Sequence, residues 1–338
     1  MKALLLIAVF SAVALASKDY DAMFREFKAT HLKSYATEAE ESTRFKNFVA
    51  NMKKAEVLQA ANPLATFGAN QFADMSEAEF KSRINGAEYF KEAMAKVDES
   101  KALTASIADR VAASGVIIDW RAKGVVTPVK NQGSCGSCWA YSANGNIEAM
   151  WAIAGNPLTA LSEQLLTSCD TIDHGCNGGL MDNAFNWLIN FRKGEVITEA
   201  AYPYVSGSGR NPACKPKSEL DALPVGAVIK GYDHIARSED TLASYVQKVG
   251  PLSVAVDATT FQSYRGGIVT SCINRQINHG VLAVGYDDIN VPPYWIIKNS
   301  WGTSWGESGY LRLAKGSNQC LINSYSTTAI VATNATKL

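Results

Sequence analysis

Two cysteines three residues apart stand at the start of an apolar segment, in the sequence Gln132-Gly-Ser-Cys135-Gly-Ser-Cys138-Trp-Ala. This spacing is typical of half a zinc site or of a redox pair. A structural zinc site needs a second pair of ligands, and no second Cys-x-x-Cys occurs in the chain. A redox pair normally lies in a thioredoxin-like βαβ unit, which the sequence does not indicate.

Cys138 is better placed to be a reactive nucleophile. A glycine-rich turn leads to it, and a predicted apolar helix from Trp139 to Ala154 follows. A thiol at a helix N-terminus lies at the positive end of the helix dipole, which favours the thiolate. A neighbouring histidine would strengthen this effect and give an ion pair that can attack an acyl carbon.

The first residues indicate where such a thiol would operate. Lys2 precedes an apolar run over 3–13 and the small residues of Ala14-Leu-Ala16, a pattern that predicts a signal peptide over residues 1–16. The run is shorter than the roughly 20 residues of a membrane span, and we expect no span later in the chain. Entry into the secretory pathway permits disulfide bonds. With seven cysteines, at least one thiol is left free or pairs with another chain.

The charge of the chain excludes one class of partner. Basic and acidic residues balance at 32 each. Proteins that bind nucleic acids usually carry a basic surface. We therefore expect no nucleic-acid partner.

The segment around the two cysteines resembles the signature of papain and the cathepsins. The matching residues are Cys135-Gly-Ser-Cys138-Trp139. In that family the catalytic histidine follows the cysteine by roughly 130–150 residues, and His279 lies in this range. Downstream, Asn299-Ser-Trp301-Gly directly follows a predicted strand, as it does in the family.

The resemblance implies a role for each matching residue. Cys138 would be the nucleophile, His279 the base, and Asn299 the residue that orients the histidine. Trp301 would shield that contact, and the Gln132 side chain would donate to the oxyanion. This chemistry needs no metal and no cofactor.

The same resemblance implies how substrates bind. The backbone of Gly178 and Gly179 would pair with an extended peptide. Four residues would line an apolar specificity pocket: Leu180, Met181, Ile277 and Asn278. Tyr325 would form its floor, shortening the pocket and disfavouring the largest side chains.

The disulfide pairing also comes from the resemblance, because six cysteines allow 15 pairings on sequence alone. Cys138 would remain free, and the other six would pair as Cys135 with Cys176, Cys169 with Cys214, and Cys272 with Cys320.

Residues 17–113 contain no cysteine, are mostly helical by pattern, and resemble an inhibitory propeptide. One set matches a motif of cathepsin L-like propeptides: Gly68, Asn70, Phe72 and Asp74. Another matches the first half of their interrupted helical motif: Glu40, Arg44, Phe48 and Asn51. Its second half departs, with Ala55 and Gln59 where isoleucine and asparagine are usual. The sequence predicts a short strand over Phe67 to Phe72, a capping box at Ser76 to Glu79, and an exposed, cleavable linker from Glu88 to Ser114.

After Val116 the pattern changes to a helical first half and a second half of short strands. The strands are predicted at Val225–Ile229, Leu252–Val256, Gly280–Tyr286, Tyr294–Lys298 and Tyr310–Ala314. These elements indicate an α+β protein. The resemblance implies a papain-like fold of two lobes, one helical and one barrel-like, over residues 114–338.

The expected function is a cysteine endopeptidase made as an autoinhibited zymogen and acting on peptides and proteins. Alternatives are a catalytically silent binding homologue, and a transpeptidase or ligase that uses the same thioester. By resemblance, cystatin-like proteins would inhibit it and it would be a monomer. It would act in a lysosome-like compartment or outside the cell. Asn334-Ala-Thr336 is a possible glycosylation site.

Overall fold

The computed structural model describes residues 18–84, 86–104, 114–272 and 276–332. The predicted signal peptide and the possible glycosylation site at Asn334 lie outside the described residues. So does part of the predicted linker, residues 105–113.

Residues 18–104, here called the arm, begin with two helices. Helices α1 (Tyr20–Thr30) and α2 (Glu38–Ala61) start at the side-chain caps of Asp19 and Thr37. Their apolar faces meet in a small core that contains Phe24, Phe27, Phe48 and Met52. The arm therefore has an aromatic core of its own.

The arm then attaches to the rest of the protein. Strand β1 (Ala65–Phe67) pairs antiparallel with β6 (Tyr264–Val269) of the C-terminal domain, residues 114–332. Asn70, in the propeptide motif, donates through Nδ2 to the carbonyls of Gln262 (2.8 Å) and Tyr264 (3.1 Å). The predicted strand over Phe67 to Phe72 is wrong after Phe67, because residues 71–74 turn toward Asn70.

Gln59 has a structural role although it departs from the family pattern. Its Nε2 donates to the carbonyl of Ala65 (2.7 Å), and its Oε1 accepts from the backbone N–H of Phe67 (3.1 Å). The glutamine therefore fixes β1 to the end of α2.

The last part of the arm differs from the expected exposed linker. Helix α3 (Glu77–Lys81) begins with the predicted capping box of Ser76 and Glu79, and α4 (Ala87–Lys96) follows. Phe90 is fully buried, and Ala93 and Ala102 are buried as well. The linker prediction is wrong over these residues because their apolar partners lie in the C-terminal domain and are invisible in the local composition.

The helical lobe of the C-terminal domain is built on α5 (Cys138–Ile153), whose residues up to Met150 are all buried. Around it pack α6 (Glu163–Cys169) and α7 (Met181–Arg192). Two further helices are α8 (Lys217–Leu220) and α9 (Glu239–Lys248).

The second lobe is a largely antiparallel sheet. Its remaining strands are β2 (Ile117–Asp119), β3 (Glu195–Ile197), β4 (Val225–His234), β5 (Leu252–Val256), β7 (His279–Asp287), β8 (Tyr294–Lys298), β9 (Tyr310–Ala314) and β10 (Ser326–Val331). The order is β1-β6-β9-β8-β7-β5-β10-β4-β3, and β2 pairs with β7. The predicted α+β architecture, with a helical lobe, a sheet lobe and a helical N-terminal arm, is confirmed. None of the helices in the described ranges has the length and apolar content that crossing a bilayer requires.

Candidate active site

Cys138 is the first residue of α5 and the one cysteine outside a disulfide bond. The other six form Cys135–Cys176, Cys169–Cys214 and Cys272–Cys320, the pairing that the resemblance implies. Sγ of Cys138 accepts from the backbone N–H of Gly280 at 3.5 Å. Burial raises the pKa of this thiol to about 11, and three backbone N–H groups, first that of Gly280, oppose the rise.

His279 begins β7 and immediately precedes Gly280, so its backbone adjoins the residue whose N–H reaches the Cys138 sulfur. Its Nε2 is 2.8 Å from Oδ1 of Asn299. The same Oδ1 accepts from the N–H of Ser300 at 2.8 Å, which identifies it as the oxygen that faces the ring. Nδ1 of His279 has no hydrogen-bond partner in the described part of the chain. The neutral ring can therefore keep its proton on Nε2 and present Nδ1 as a base.

Trp301 covers the contact between His279 and Asn299. Its ring lies 4.9 Å from the imidazole, centroid to centroid, and is fully buried. Burial lowers the pKa of His279 to about 4, and the hydrogen bond to Asn299 opposes this shift. Burial in the full chain therefore favours the neutral forms of both Cys138 and His279.

Gln132 faces the arm. Its Nε2 donates to the carbonyl of Arg83 at 2.9 Å and to that of Cys135 at 2.9 Å. Its Oε1 accepts from Oγ of Ser300 at 2.7 Å, which fixes the orientation of the amide. A carbonyl oxygen of the arm therefore already occupies a donor predicted for the oxyanion.

Arg83 and Gly86 bind the arm on both sides of this point. The guanidinium of Arg83 donates to the carbonyl of Gly133 and lies 4.9 Å from the centre of the Phe72 ring. The N–H of Gly86 donates to the carbonyl of Asn278 at 3.1 Å. The arm thus contacts the C-terminal domain on both the helical side and the sheet side of Cys138.

Four of the five predicted pocket residues belong to the buried cluster that also contains Phe90 of the arm. They are Leu180, Met181, Ile277 and Tyr325. The Phe90 ring packs edge-on against Tyr325 with centroids 5.5 Å apart. A phenylalanine therefore fits against the tyrosine, although we expected Tyr325 to disfavour the largest side chains.

Asn278 lines the site only through its backbone. Its side chain turns away, with Oδ1 accepting from the N–H of Ala258 (2.9 Å) and Nδ2 donating to Oγ1 of Thr259 (3.2 Å). Gly178 has a φ of 116°, which favours glycine. A Cβ on Gly179 would lie 2.7 Å from Cγ of Asp173, so only glycine fits there.

Behind α5 lies a buried group of charges that sequence reasoning missed. Nζ of Lys130 is 3.0 Å from Glu148, 2.8 Å from Glu163 and 3.1 Å from Glu199. Burial lowers the pKa of Lys130, but the three carboxylates outweigh burial and the net shift is upward. Among the described residues, no group of three or more His, Cys, Asp and Glu side chains could hold a metal ion.

Two further residues of the site were missed for different reasons. Phe90 is a large apolar residue in a polar stretch, and that contrast was a signal that could have identified it. Asp182, which accepts a hydrogen bond from the hydroxyl of Tyr325, follows Met181 with no distinguishing pattern.

The fold and this arrangement of thiol, imidazole and amide define a cysteine protease, and the chain belongs to the papain family. Residues 116–330 match the model described as papain family cysteine protease. Residues 24–80 match that of the cathepsin propeptide inhibitor domain. The chain is therefore a papain-family cysteine protease that carries an inhibitory domain in the same polypeptide.

Individual relatives support the same assignment. A cysteine proteinase of Trypanosoma brucei brucei is 50% identical over 329 residues, which cover 96% of this chain and 71% of the relative. The recombinant stem bromelain precursor superimposes with a TM-score of 0.79 at 33% identity, covering 93% of this chain and 99% of that one. Digestive procathepsin L 3 of Tenebrio molitor gives 0.73 at 34% identity, with 93% and 100% covered.

Proposed function

We propose that Cys138 and His279 hydrolyse internal peptide bonds of protein substrates once the arm has been removed. The observation that carries the proposal is the single free thiol at the N-terminus of α5, hydrogen-bonded to the N–H of the residue that follows His279, whose ring Asn299 holds. Removing the arm exposes both groups to water and lessens the burial that favours their neutral forms. The proton of Sγ then passes to Nδ1 of His279.

The reaction proceeds by acyl transfer. The thiolate attacks the peptide carbonyl carbon, and the oxyanion that forms accepts hydrogen bonds from Nε2 of Gln132 and the N–H of Cys138. His279 gives its Nδ1 proton to the leaving amine as the C–N bond breaks. A water molecule, deprotonated by His279, then attacks the thioester and releases the acid and the thiol.

Substrate binding follows the contacts that the arm makes. The extended peptide pairs with the backbone of Gly178 and Gly179. In the zymogen, the Phe90 side chain occupies the apolar pocket that ends at Tyr325. In the processed enzyme, a substrate side chain enters the same pocket, so an apolar or aromatic residue is preferred there.

The proposed division of the chain has three parts. Residues 1–16 are a signal peptide, residues 17–113 the propeptide, and residues 114–338 the peptidase domain. Processing cuts between residues 104 and 114. The peptidase then works as a monomer in a lysosome-like compartment or outside the cell, where cystatin-like proteins inhibit it.

The test uses internally quenched peptides blocked at both ends, with acid-processed protein and a matched Cys138→Ala variant. Because the variant lacks the only free thiol, turnover should fall to background. Cys138→Ser is the closer control, since it keeps a hydroxyl but should lose almost all activity. Turnover that survives in Cys138→Ala would refute the assignment. If added amines react with the thioester faster than water does, the result would favour the assignment as a transpeptidase.

A further inference from the structure

Two buried aspartates lie in one short loop that cannot easily move. The loop from Cys169 to Cys176 is fixed at both ends by the disulfides to Cys214 and Cys135. Asp170 and Asp173 within it are 7% and 9% exposed. The loop therefore places two acidic groups away from water.

Each of the two carboxylates has one oxygen that accepts a hydrogen bond and one oxygen without a donor among the described residues. Oδ1 of Asp170 accepts from the N–H of Ile172 (2.7 Å), and Oδ1 of Asp173 accepts from the N–H of Leu180 (3.1 Å) and Nδ2 of Asn183 (2.9 Å). Both Oδ2 atoms are buried with no donor among the described residues. Oδ1 of Asp170 also accepts from the N–H of Asp173 at 3.3 Å, so the two residues are neighbours. Two orphan acceptors in one buried loop are costly until a donor satisfies them, and a shared proton is one such donor.

The surroundings offer little positive charge to balance two negative ones. Of the groups that face the pair, the amide of Asn183 on α7 and the indole of Trp139 on α5 are neutral. His174 lies in the same loop and acts on Asp170 through its charge, and its ring stacks on Tyr89 of the arm at 4.8 Å. Burial raises the pKa of both aspartates, and the charge of Asp170 raises that of Asp173 further.

We propose that Asp170 and Asp173 share one proton between their Oδ2 atoms, and that this proton positions the substrate-pairing backbone at residues 178–180. The loop and that backbone are directly joined. The N–H of His174 donates to the carbonyl of Gly178 at 3.0 Å, and the N–H of Leu180 donates to Asp173. Asp173 is thus a positioning residue, an inference that rests on the proposed role of Gly178 and Gly179.

The pair titrates as a unit. Because folding raises its pKa, its stabilising effect is complete below the ordinary carboxyl value near 4 and is lost as pH rises to the raised value. Above that value two negative charges face each other in a loop that the disulfides restrain. The Asp173 side chain then moves, the N–H of Leu180 loses its acceptor, and peptides bind less well. We expect KM to rise with pH while kcat changes little.

Asp173→Asn tests this directly in the processed enzyme. The amide keeps Oδ1 as acceptor for Leu180 and supplies an N–H to Oδ2 of Asp170 at every pH. Over pH values from about 4 to about 9, KM of the wild type should rise by up to tenfold per pH unit above the pair's pKa. KM of Asp173→Asn should stay level. Asp173→Ala, which removes both contacts, should raise KM at every pH.

A second measurement needs no catalysis and separates this inference from the proposed function. The full chain carrying Cys138→Ala is unfolded with urea across the same pH range, with and without Asp173→Asn. The urea midpoint should fall with rising pH in the Cys138→Ala protein. It should fall less in the protein that also carries Asp173→Asn. Identical pH profiles for the two proteins, or a wild-type KM slope retained in Asp173→Asn, would overturn the shared proton.

Discussion

The hydroxyl of Tyr325, whose ring packs against Phe90 of the arm, donates a hydrogen bond to Oδ1 of Asp182 at 2.5 Å. The other carboxylate oxygen of Asp182 lies 3.5 Å from Nε2 of His234. Tyr325 is only 2% exposed, so its hydroxyl has few other acceptors. Asp182 therefore fixes the ring that closes the pocket.

Releasing that ring should change substrate preference. In Asp182→Ala the Tyr325 hydroxyl loses an acceptor worth about 1.5–3 kcal/mol for a charged partner, and the ring can turn aside. We expect kcat/KM for phenylalanine over leucine at the pocket position to rise roughly three- to tenfold. Tyr325→Phe breaks the same bond, and the double variant should add nothing to either single change. Additive effects would show that the bond does not set the preference.

The arm should suppress the reactivity of Cys138 by holding it neutral. In the zymogen, the rate of alkylation by a small neutral reagent should climb about tenfold per pH unit toward the thiol pKa of about 11. In the processed enzyme the thiolate formed with His279 should react at a nearly constant rate through the acidic and neutral range. Mass spectrometry of the labelled thiol gives both profiles, with Cys138→Ala as background. Equal rates at neutral pH would contradict this account.

Phe90 should contribute strongly to inhibition. Its truncation to alanine removes a fully buried ring, a change that costs about 3–5 kcal/mol in a packed core. We expect unprocessed Phe90→Ala zymogen to be processed faster and to label at Cys138 more readily. Lys91→Ala, on the exposed side of the same helix, is the matched control. A Phe90→Ala zymogen as latent as the Lys91→Ala protein would exclude the pocket contact as an anchor.

The charges behind α5 should contribute to stability. Lys130→Met leaves the carboxylates of Glu148 and Glu163, each 1% exposed, without their closest cation. Breaking a buried ion pair in this way typically costs about 3–5 kcal/mol. The urea midpoint of the Cys138→Ala protein should fall accordingly. Lys230→Met, at an exposed strand position, should leave it almost unchanged.

The fold could be predicted where local signals agree with tertiary packing. The capping box at Ser76 and the strands from Leu252 onward are examples, because their patterns come from the residues themselves. The part of the arm around Phe90 could not be predicted, since what buries it is a pocket assembled from distant segments. The local composition of that stretch carries no information about the distant residues that bury it.

The site was predicted in its residue types and less in its geometry. Spacing and resemblance pointed to Cys138 and His279, and the structure links the Cys138 sulfur to the N–H of Gly280, the residue after His279. The side chain of Asn278 was expected in the pocket and instead caps the turn at Ala258. Such orientations depend on which donors the folded backbone leaves free, and a linear pattern does not contain that information.

The placement of the disulfides makes activation a one-way process. All three bonds lie between residues 135 and 320, and the chain before residue 135 has no cysteine. A single cut at the proposed position after residue 104 would therefore turn a tethered inhibitor into an independent molecule. Its effective concentration falls from about the millimolar range to that of the surrounding solution.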